Sequence, residues 1–160
     1  MDATIVHVST NVYLDEREAE LWLAYRRMNR TVQAAINTDL MNDSGLSEAD
    51  YDVLSNLTEE GNDRMRILDL GNQLRWSKSR ISNHLTRMEK RGLVTREACD
   101  TDGRGAFVQL TADGRQTIVD AAPSHVQSVR NNFLDRLTER QHDALREIAQ
   151  HIVAQSPSTQ

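Results

Sequence analysis

Apolar positions repeat along most of this chain at helical spacing and switch to short extended runs in one place only. From Asp15 to about Met41, Leu21, Tyr25, Met28, Val32, Ile36 and Leu40 hold one stripe for more than five turns, which predicts a long amphipathic helix. Asp15, Glu16, Glu18 and Glu20 suit the positive end of that helix, and Asn42 to Gly45 ends it. Ser47-x-x-Asp50 is a capping box for a second helix, Glu48 to Leu57, with Tyr51, Val53 and Leu54 facing inward. Glu59 to Arg64 reads as a polar loop. Ile67, Leu68, Leu70 and Leu74 then give a short helix, and Arg75-Trp76 is the only connector to the next.

That next helix runs from Ser77 to Arg91, with Ile81, Leu85 and Met88 on one face. Ser79, Asn83, Thr86, Arg87 and Lys90 share the other face, flanked by Arg80 and Ser82. Ser77 caps its start, and Lys90-Arg91-Gly92 closes it. Two helices joined by so tight a turn read as a helix-turn-helix. Leu93 to Cys99 and Ala106 to Thr111 are strand-like, and Asp102-Gly103 between them is a hairpin signal that sets Arg104 near the tip. Thr111 caps a fifth helix, which Pro123 is expected to kink or interrupt near Ala121-Ala122. The helical pattern resumes through Val126, Val129, Phe133, Leu134 and Leu137. Thr138-x-x-Gln141 opens a last helix carrying Ala144, Leu145, Ile148, Ile152 and Val153.

The predicted fold is mainly α with a small β-hairpin wing: a winged helix-turn-helix flanked by N- and C-terminal dimerisation helices. The 160 residues make one domain, 1–160, with the winged-helix unit at about 46–111 and helical dimerisation regions at 1–45 and 112–155. The sequence holds no long apolar run and no basic-then-apolar leader, so a soluble, cytoplasmic protein with no membrane partner is expected. A lone cysteine fits a reducing compartment.

A net charge of −5 argues against a nucleic-acid partner until it is resolved locally. Arg75, Lys78, Arg80, Arg87, Lys90, Arg91 and Arg96 form a basic stripe opposed only by Glu89, so the rest of the chain is strongly acidic. One face is drawn to phosphate and the remainder is repelled, which orients the protein on a duplex. Ser79, Arg80, Ser82, Asn83 and Arg87 suit base edges in a major groove. Arg75, Lys78, Thr86 and Lys90 suit phosphates, and Arg104 suits a minor groove or a phosphate. His84 lies beside the buried stripe, where packing is its expected role. A winged-helix module that binds protein instead of DNA is the rival reading, and the basic stripe argues against it.

These residues resemble the multiple-antibiotic-resistance regulator (MarR) family. The likeness is carried by Leu74-x-x-Ser77-x-Ser79-Arg80-Ile81-Ser82, by Met88 to Val94, and by the wing Asp102-x-Arg104 followed by Leu110-Thr111-x-x-Gly114; it is strongest over residues 65–115. It implies a regulator of transcription that binds a double-stranded, palindromic operator as a homodimer, acting as a ligand-responsive repressor. It also implies an effector site between the dimerisation helices and the winged helix. Trp22, Tyr25, Arg26, Asn29 and Tyr51 are the candidates there, and an arginine beside aromatic walls suits a small anionic aromatic molecule. Some relatives respond to oxidation, which leaves a redox reading through Cys99 as an alternative. Glu97 and Asp100 beside that thiol should raise its pKa rather than activate it. The five histidines show no metal-ligand spacing, and no nucleophile elbow, phosphate loop or paired-carboxylate motif is present. Neither a catalytic site nor a metal or cofactor is expected.

Overall fold

The computed structural model describes residues 13–59, 63–98 and 106–155. Its elements are α1 (Glu16–Ser44), α2 (Glu48–Glu59), β1 (Arg64–Arg66), α3 (Ile67–Gln73), α4 (Lys78–Lys90), β2 (Val94–Ala98), β3 (Ala106–Leu110), α5 (Ala112–Asn132) and α6 (Glu139–Gln155), with a 3-10 turn at Leu134–Arg136 before α6. Local chemistry sets most of these limits. Asp15 caps α1 reciprocally with Glu18, and Gly45 ends it in the left-handed region at φ +68°. Ser47 and Asp50 exchange the two bonds of the box that starts α2. Thr111 caps α5 through the Gly114 N–H at 2.9 Å, and Thr138 pairs with Gln141 at the start of α6.

The strands form a three-stranded antiparallel sheet in the order β1-β3-β2. Val94 to Ala98 pairs with Leu110 to Ala106, the expected hairpin. β1 is a correction: the stretch read as a loop runs into a strand whose Arg64, Met65 and Arg66 pair with Gln109, Val108 and Phe107. Met65 points inward between two outward arginines.

At Pro123 the interruption expected near Ala121-Ala122 does not occur. α5 continues as one helix from Ala112 to Asn132 with the proline inside it. Only one N–H is lost, the one that would meet the Val119 carbonyl. The residues on either side are held by packing, since α5 lies against both α1 and α2 and buries Ile118, Ala121 and Ser128. Ser128 Oγ donates to Asp39 Oδ2 of α1 at 2.6 Å, and Asn132 Nδ2 donates to the same oxygen at 2.9 Å. Phe133 lies just beyond this helix, and Leu134 belongs to the 3-10 turn.

One core serves the winged helix and the helices behind it. Leu40 and Leu46 pack with Val53, Leu54 and Leu57 of α2, Leu70 of α3, Ile81, Leu85 and Met88 of α4, Val108 of β3, and Ile118 of α5. The apolar stripe of α1 is buried only at its C-terminal end, at Ile36 and Leu40; Leu21, Tyr25 and Met28 on that stripe are exposed. α6 buries no residue at all. Among the described residues, no helix is long and apolar enough to cross a membrane.

Candidate nucleic-acid interface

The turn before α4 fixes how that helix is presented. Trp76 N donates to Gly71 O at 2.8 Å, Arg75 N to Asn72 O at 3.1 Å, and Arg75 takes φ +53°, unusual for a residue with a side chain. Ser77 Oγ accepts from Arg80 N at 3.3 Å and lies 3.2 Å from Ser79 Oγ. Ile81, Leu85 and Met88 anchor the helix in the core, and His84 is buried with them. The face left outside carries Lys78, Ser79, Arg80, Ser82, Asn83, Arg87 and Lys90, all exposed, with Arg75 exposed just before them.

Two of the arginines are held rather than free. The Arg80 guanidinium lies 4.2 Å over the Trp76 ring, a cation–π contact that limits its rotamers. Arg87 Nη2 lies 2.9 Å from His84 Nδ1. Thr86 is half-buried and committed: its hydroxyl donates to Ser82 O at 2.9 Å and accepts from Arg96 Nη2. Arg104 and Cys99, with the Asp102-Gly103 turn, lie outside the described residues.

The sheet adds cations that the sequence reading passes over. Arg64 lies 3.8 Å over the Phe107 ring and its Nη2 is 3.1 Å from Glu97 Oε2; Arg66 lies 5.2 Å from the same ring. The alternation Arg-Met-Arg was the available signal, but three residues are too few to declare a strand without its distant partner. A cleft of about 570 Å³ opens between α3, the start of α4 and the sheet, lined among others by Arg66, Leu68, Trp76, Lys78, Ser82 and Arg96.

Behind α4 lies a buried ionic knot. Asp50 Oδ2 accepts from Arg91 Nη1 at 2.7 Å, and Oδ1 lies 3.0 Å from His84 Nε2. Burial alone would raise the Asp50 carboxyl, but His84, Ser47 and Arg91 together hold it well below the usual carboxylate range. Arg91 Nη2 also donates to Gly45 O at 2.9 Å, so one side chain ties the end of α4 to both α1 and α2.

The proposed effector residues are not gathered in a single chain. Trp22 and Tyr25 stack at 5.6 Å on the exposed half of α1, with Arg26 and Asn29 exposed beside them. Tyr51 instead packs on His125 of α5 at 4.0 Å between ring centroids. Among the described residues no group of three or more potential ligands is placed to hold a metal ion.

Known proteins share both the pattern and the shape. A family model described as MarR family matches residues 44–105. The transcriptional regulator HosA of Escherichia coli O127:H6 is 35% identical over 77 residues, 48% of this chain and 56% of HosA, so the match spans about half the length of that curated relative. Among solved structures, AbsC from Streptomyces coelicolor, a MarR family transcriptional regulator, is 39% identical, with 91% of this chain and 100% of that one covered and a TM-score of 0.78. Sco3205 from the same organism, a MarR family regulator solved in complex with DNA, is 31% identical over 94% of this chain and 95% of its own, with a TM-score of 0.85. With that likeness running over nearly the whole length of both structures, the chain belongs to the MarR family, winged-helix regulators of transcription and not enzymes.

Proposed function

We propose that the protein represses transcription by binding a palindromic operator as a homodimer and releasing it when a small effector binds. The carrying observation is the outer face of α4: seven exposed polar or basic side chains on a helix whose other side is locked into the core. That arrangement matches what a major groove accepts, and the related Sco3205 was solved with DNA bound. Arg80, Ser79, Ser82, Asn83 and Arg87 are assigned to base edges, Arg75, Lys78 and Lys90 to phosphates, and Arg104 to the groove beside the wing; Thr86, its hydroxyl already bonded to Ser82 and Arg96, is left out of the phosphate set.

Dimerisation is supported by what the single chain leaves uncovered. Leu21, Trp22, Leu23, Tyr25 and Met28 of α1 and Ile148 and Val153 of α6 are exposed although apolar, as side chains kept for a second chain would be. Division into a winged-helix unit at about 46–111 and a dimerisation region at 1–45 and 112–155 follows from the same reading. An anionic aromatic effector would stack on Trp22 and Tyr25 and pair with Arg26, and would act by favouring a spacing of the two α4 helices that mismatches the operator.

Selection of bound fragments from random duplexes by the purified protein, then footprinting and sizing of the complex, tests this. An inverted repeat with half-site centres about 10 base pairs apart, bound by two chains, is the expected result. A monomer on an asymmetric site, or binding without sequence preference at moderate salt, would overturn it.

A further inference from the structure

His84 is read in the sequence as a packing residue, yet its two nitrogens face opposite charges. Nδ1 lies 2.9 Å from Arg87 Nη2. A guanidinium has only donors, so Nδ1 must accept and cannot carry a proton. The ring proton therefore sits on Nε2, 3.0 Å from Asp50 Oδ1, a close electrostatic contact rather than an aligned hydrogen bond. The ring is 6% exposed and meets the Trp76 ring edge-on at 5.1 Å, so it has little room to turn over. Asp50 is itself pinned by Arg91, Ser47 and the start of α2.

We propose that His84 is a positioning residue for DNA binding: its unprotonated Nδ1 aims the Arg87 guanidinium on the outer face of α4, and protonation of the ring releases it. The inference rests on the DNA-binding reading above. Arg87 carries five N–H donors, so one spent on His84 leaves the rest of the fork for DNA. A protonated ring puts a hydrogen on Nδ1 and a positive charge against Arg87, and both effects drive the guanidinium off its seat.

The charged groups around the ring set this balance. They are Asp50 and Asp52 of α2, Arg80 and Arg87 of α4, Arg91 just beyond α4, and His125 of α5, which acts on Asp52 from the far side. The outcome has a diagnostic sign. Acidification ordinarily adds positive charge and tightens phosphate binding. Here the DNA-competent state excludes a proton, so affinity falls as pH drops.

The test uses the full-length protein, its selected operator duplex and fixed salt, with affinity read by fluorescence anisotropy from pH 8 to pH 5.5. Wild-type affinity is expected to fall on the acid side by up to about tenfold per pH unit, the limit for one linked proton. His84→Leu removes the acceptor and weakens binding at pH 8. His84→Asn, whose Oδ1 stands where Nδ1 stood and does not titrate, restores binding relative to His84→Leu and flattens the pH dependence. Arg87→Ala, at an exposed position and checked against wild type by its melting curve, weakens binding by about tenfold and also flattens it. Long-range proton–nitrogen NMR of the free protein at pH 8 should show His84 as the Nε2–H tautomer. An Nδ1–H tautomer, affinity that rises on acidification, or a pH dependence that survives in both His84→Asn and Arg87→Ala overturns the proposal. Failure to bind any duplex at any pH overturns the DNA-binding reading and this role with it, and the tautomer measurement then separates the two failures.

Discussion

Glu89 of α4 holds Arg96 of β2 at two points: Oε1 accepts from the Arg96 backbone N–H at 3.2 Å, and Oε2 accepts from Nε at 3.2 Å. The one anion of the basic stripe thus clamps the wing sheet to α4. The same clamp withholds a cation from DNA, because Arg96 is occupied by Glu89 and Thr86. Glu89→Ala should release it. The protein should lose little stability, since partly exposed pairs contribute about 0–1 kcal/mol. The slope of log affinity against log salt should steepen by about one unit as Arg96 finds a phosphate. An unchanged slope in a salt titration would show that Arg96 stays clear of the duplex.

Asn83 and Lys78 share the exposed face of α4 but should behave differently. An amide pairs with the two-atom edge of adenine, so Asn83→Ala should weaken binding to the preferred site by about 1–3 kcal/mol and relax one base position. Lys78, in the first turn of α4, is the residue assigned to a phosphate. Lys78→Ala should weaken all duplexes alike and lower the salt slope by about one unit. Affinities of both variants on the operator and its single-base variants decide this. Equal weakening on every sequence by Asn83→Ala would sink the assignment.

His125 should make stability depend on pH in the neutral range. Burial lowers its pKa below 6.5, and Asp52 only partly pulls it back. The unfolded ring accepts a proton more readily than the folded one. Stability from this group is therefore full above pH 6.5 and is lost as pH falls through that value toward the folded pKa. Asp50 works in the same sense but lower, below its ordinary 3.8, because its folded carboxyl is held down. Glu48 and Asp52, raised by burial, oppose it there. Urea unfolding at pH 7.5 and 5.5 should show wild type losing more stability on acidification than His125→Gln. Equal losses in the two proteins would rule His125 out.

What is legible in the sequence here is what short-range chemistry decides. Caps and boxes at Asp15, Ser47, Ser77, Thr111 and Thr138 involve partners three residues away, and each marks a helix start. The 3.6-residue stripe of α4 likewise separates its core face from its outer face. The features that escape are those made by distant pairs. β1 exists because Met65 meets Val108, and His84 is polarised because Asp50 arrives from a helix 34 residues earlier in the chain. Pro123 fails to break α5 because α1 and α2 support the helix from outside it. The two halves of the α1 stripe look alike in sequence, yet one is core and the other is bare, a difference set by where α5 and α2 reach.

The bare surfaces give a prediction about association. Ile148 is 54% exposed and Val153 66%, and α6 buries nothing within its own chain. Replacing both with aspartate should leave the core untouched while placing two charges in the proposed subunit interface. Sedimentation should show the double variant as a monomer with its far-ultraviolet dichroism retained. Its melting temperature should also lose the concentration dependence that a dimer shows. A double variant that still sediments as a dimer would place the interface elsewhere.

Gly114 explains why the wing is followed by Leu110-Thr111-x-x-Gly114. It stands in the first turn of α5, where its N–H donates to Thr111 Oγ1 at 2.9 Å. Thr111 in turn bonds back to the end of α4: its hydroxyl is 2.6 Å from Gly92 O, and its N–H donates to Leu93 O at 3.2 Å. The Leu93 carbonyl is thereby pressed against the Gly114 Cα. A Cβ there would overlap the Leu93 oxygen and lie 2.9 Å from Leu110 Cδ1. The Leu110 side chain could swing aside, but the Leu93 backbone could not without moving the junction itself. In an ordinary helix interior, Gly→Ala stabilises by about 0.8–1 kcal/mol. Here the sign should reverse, with Gly114→Ala destabilising by about 1–3 kcal/mol as overpacking does. Thr111→Val, which loses the cap but keeps the shape, should lose about 1 kcal/mol. Urea unfolding of the two variants beside wild type measures both effects. A Gly114→Ala protein as stable as wild type would mean that α5 can lift from Leu93, and that the junction of the wing and α5 is not fixed by this contact.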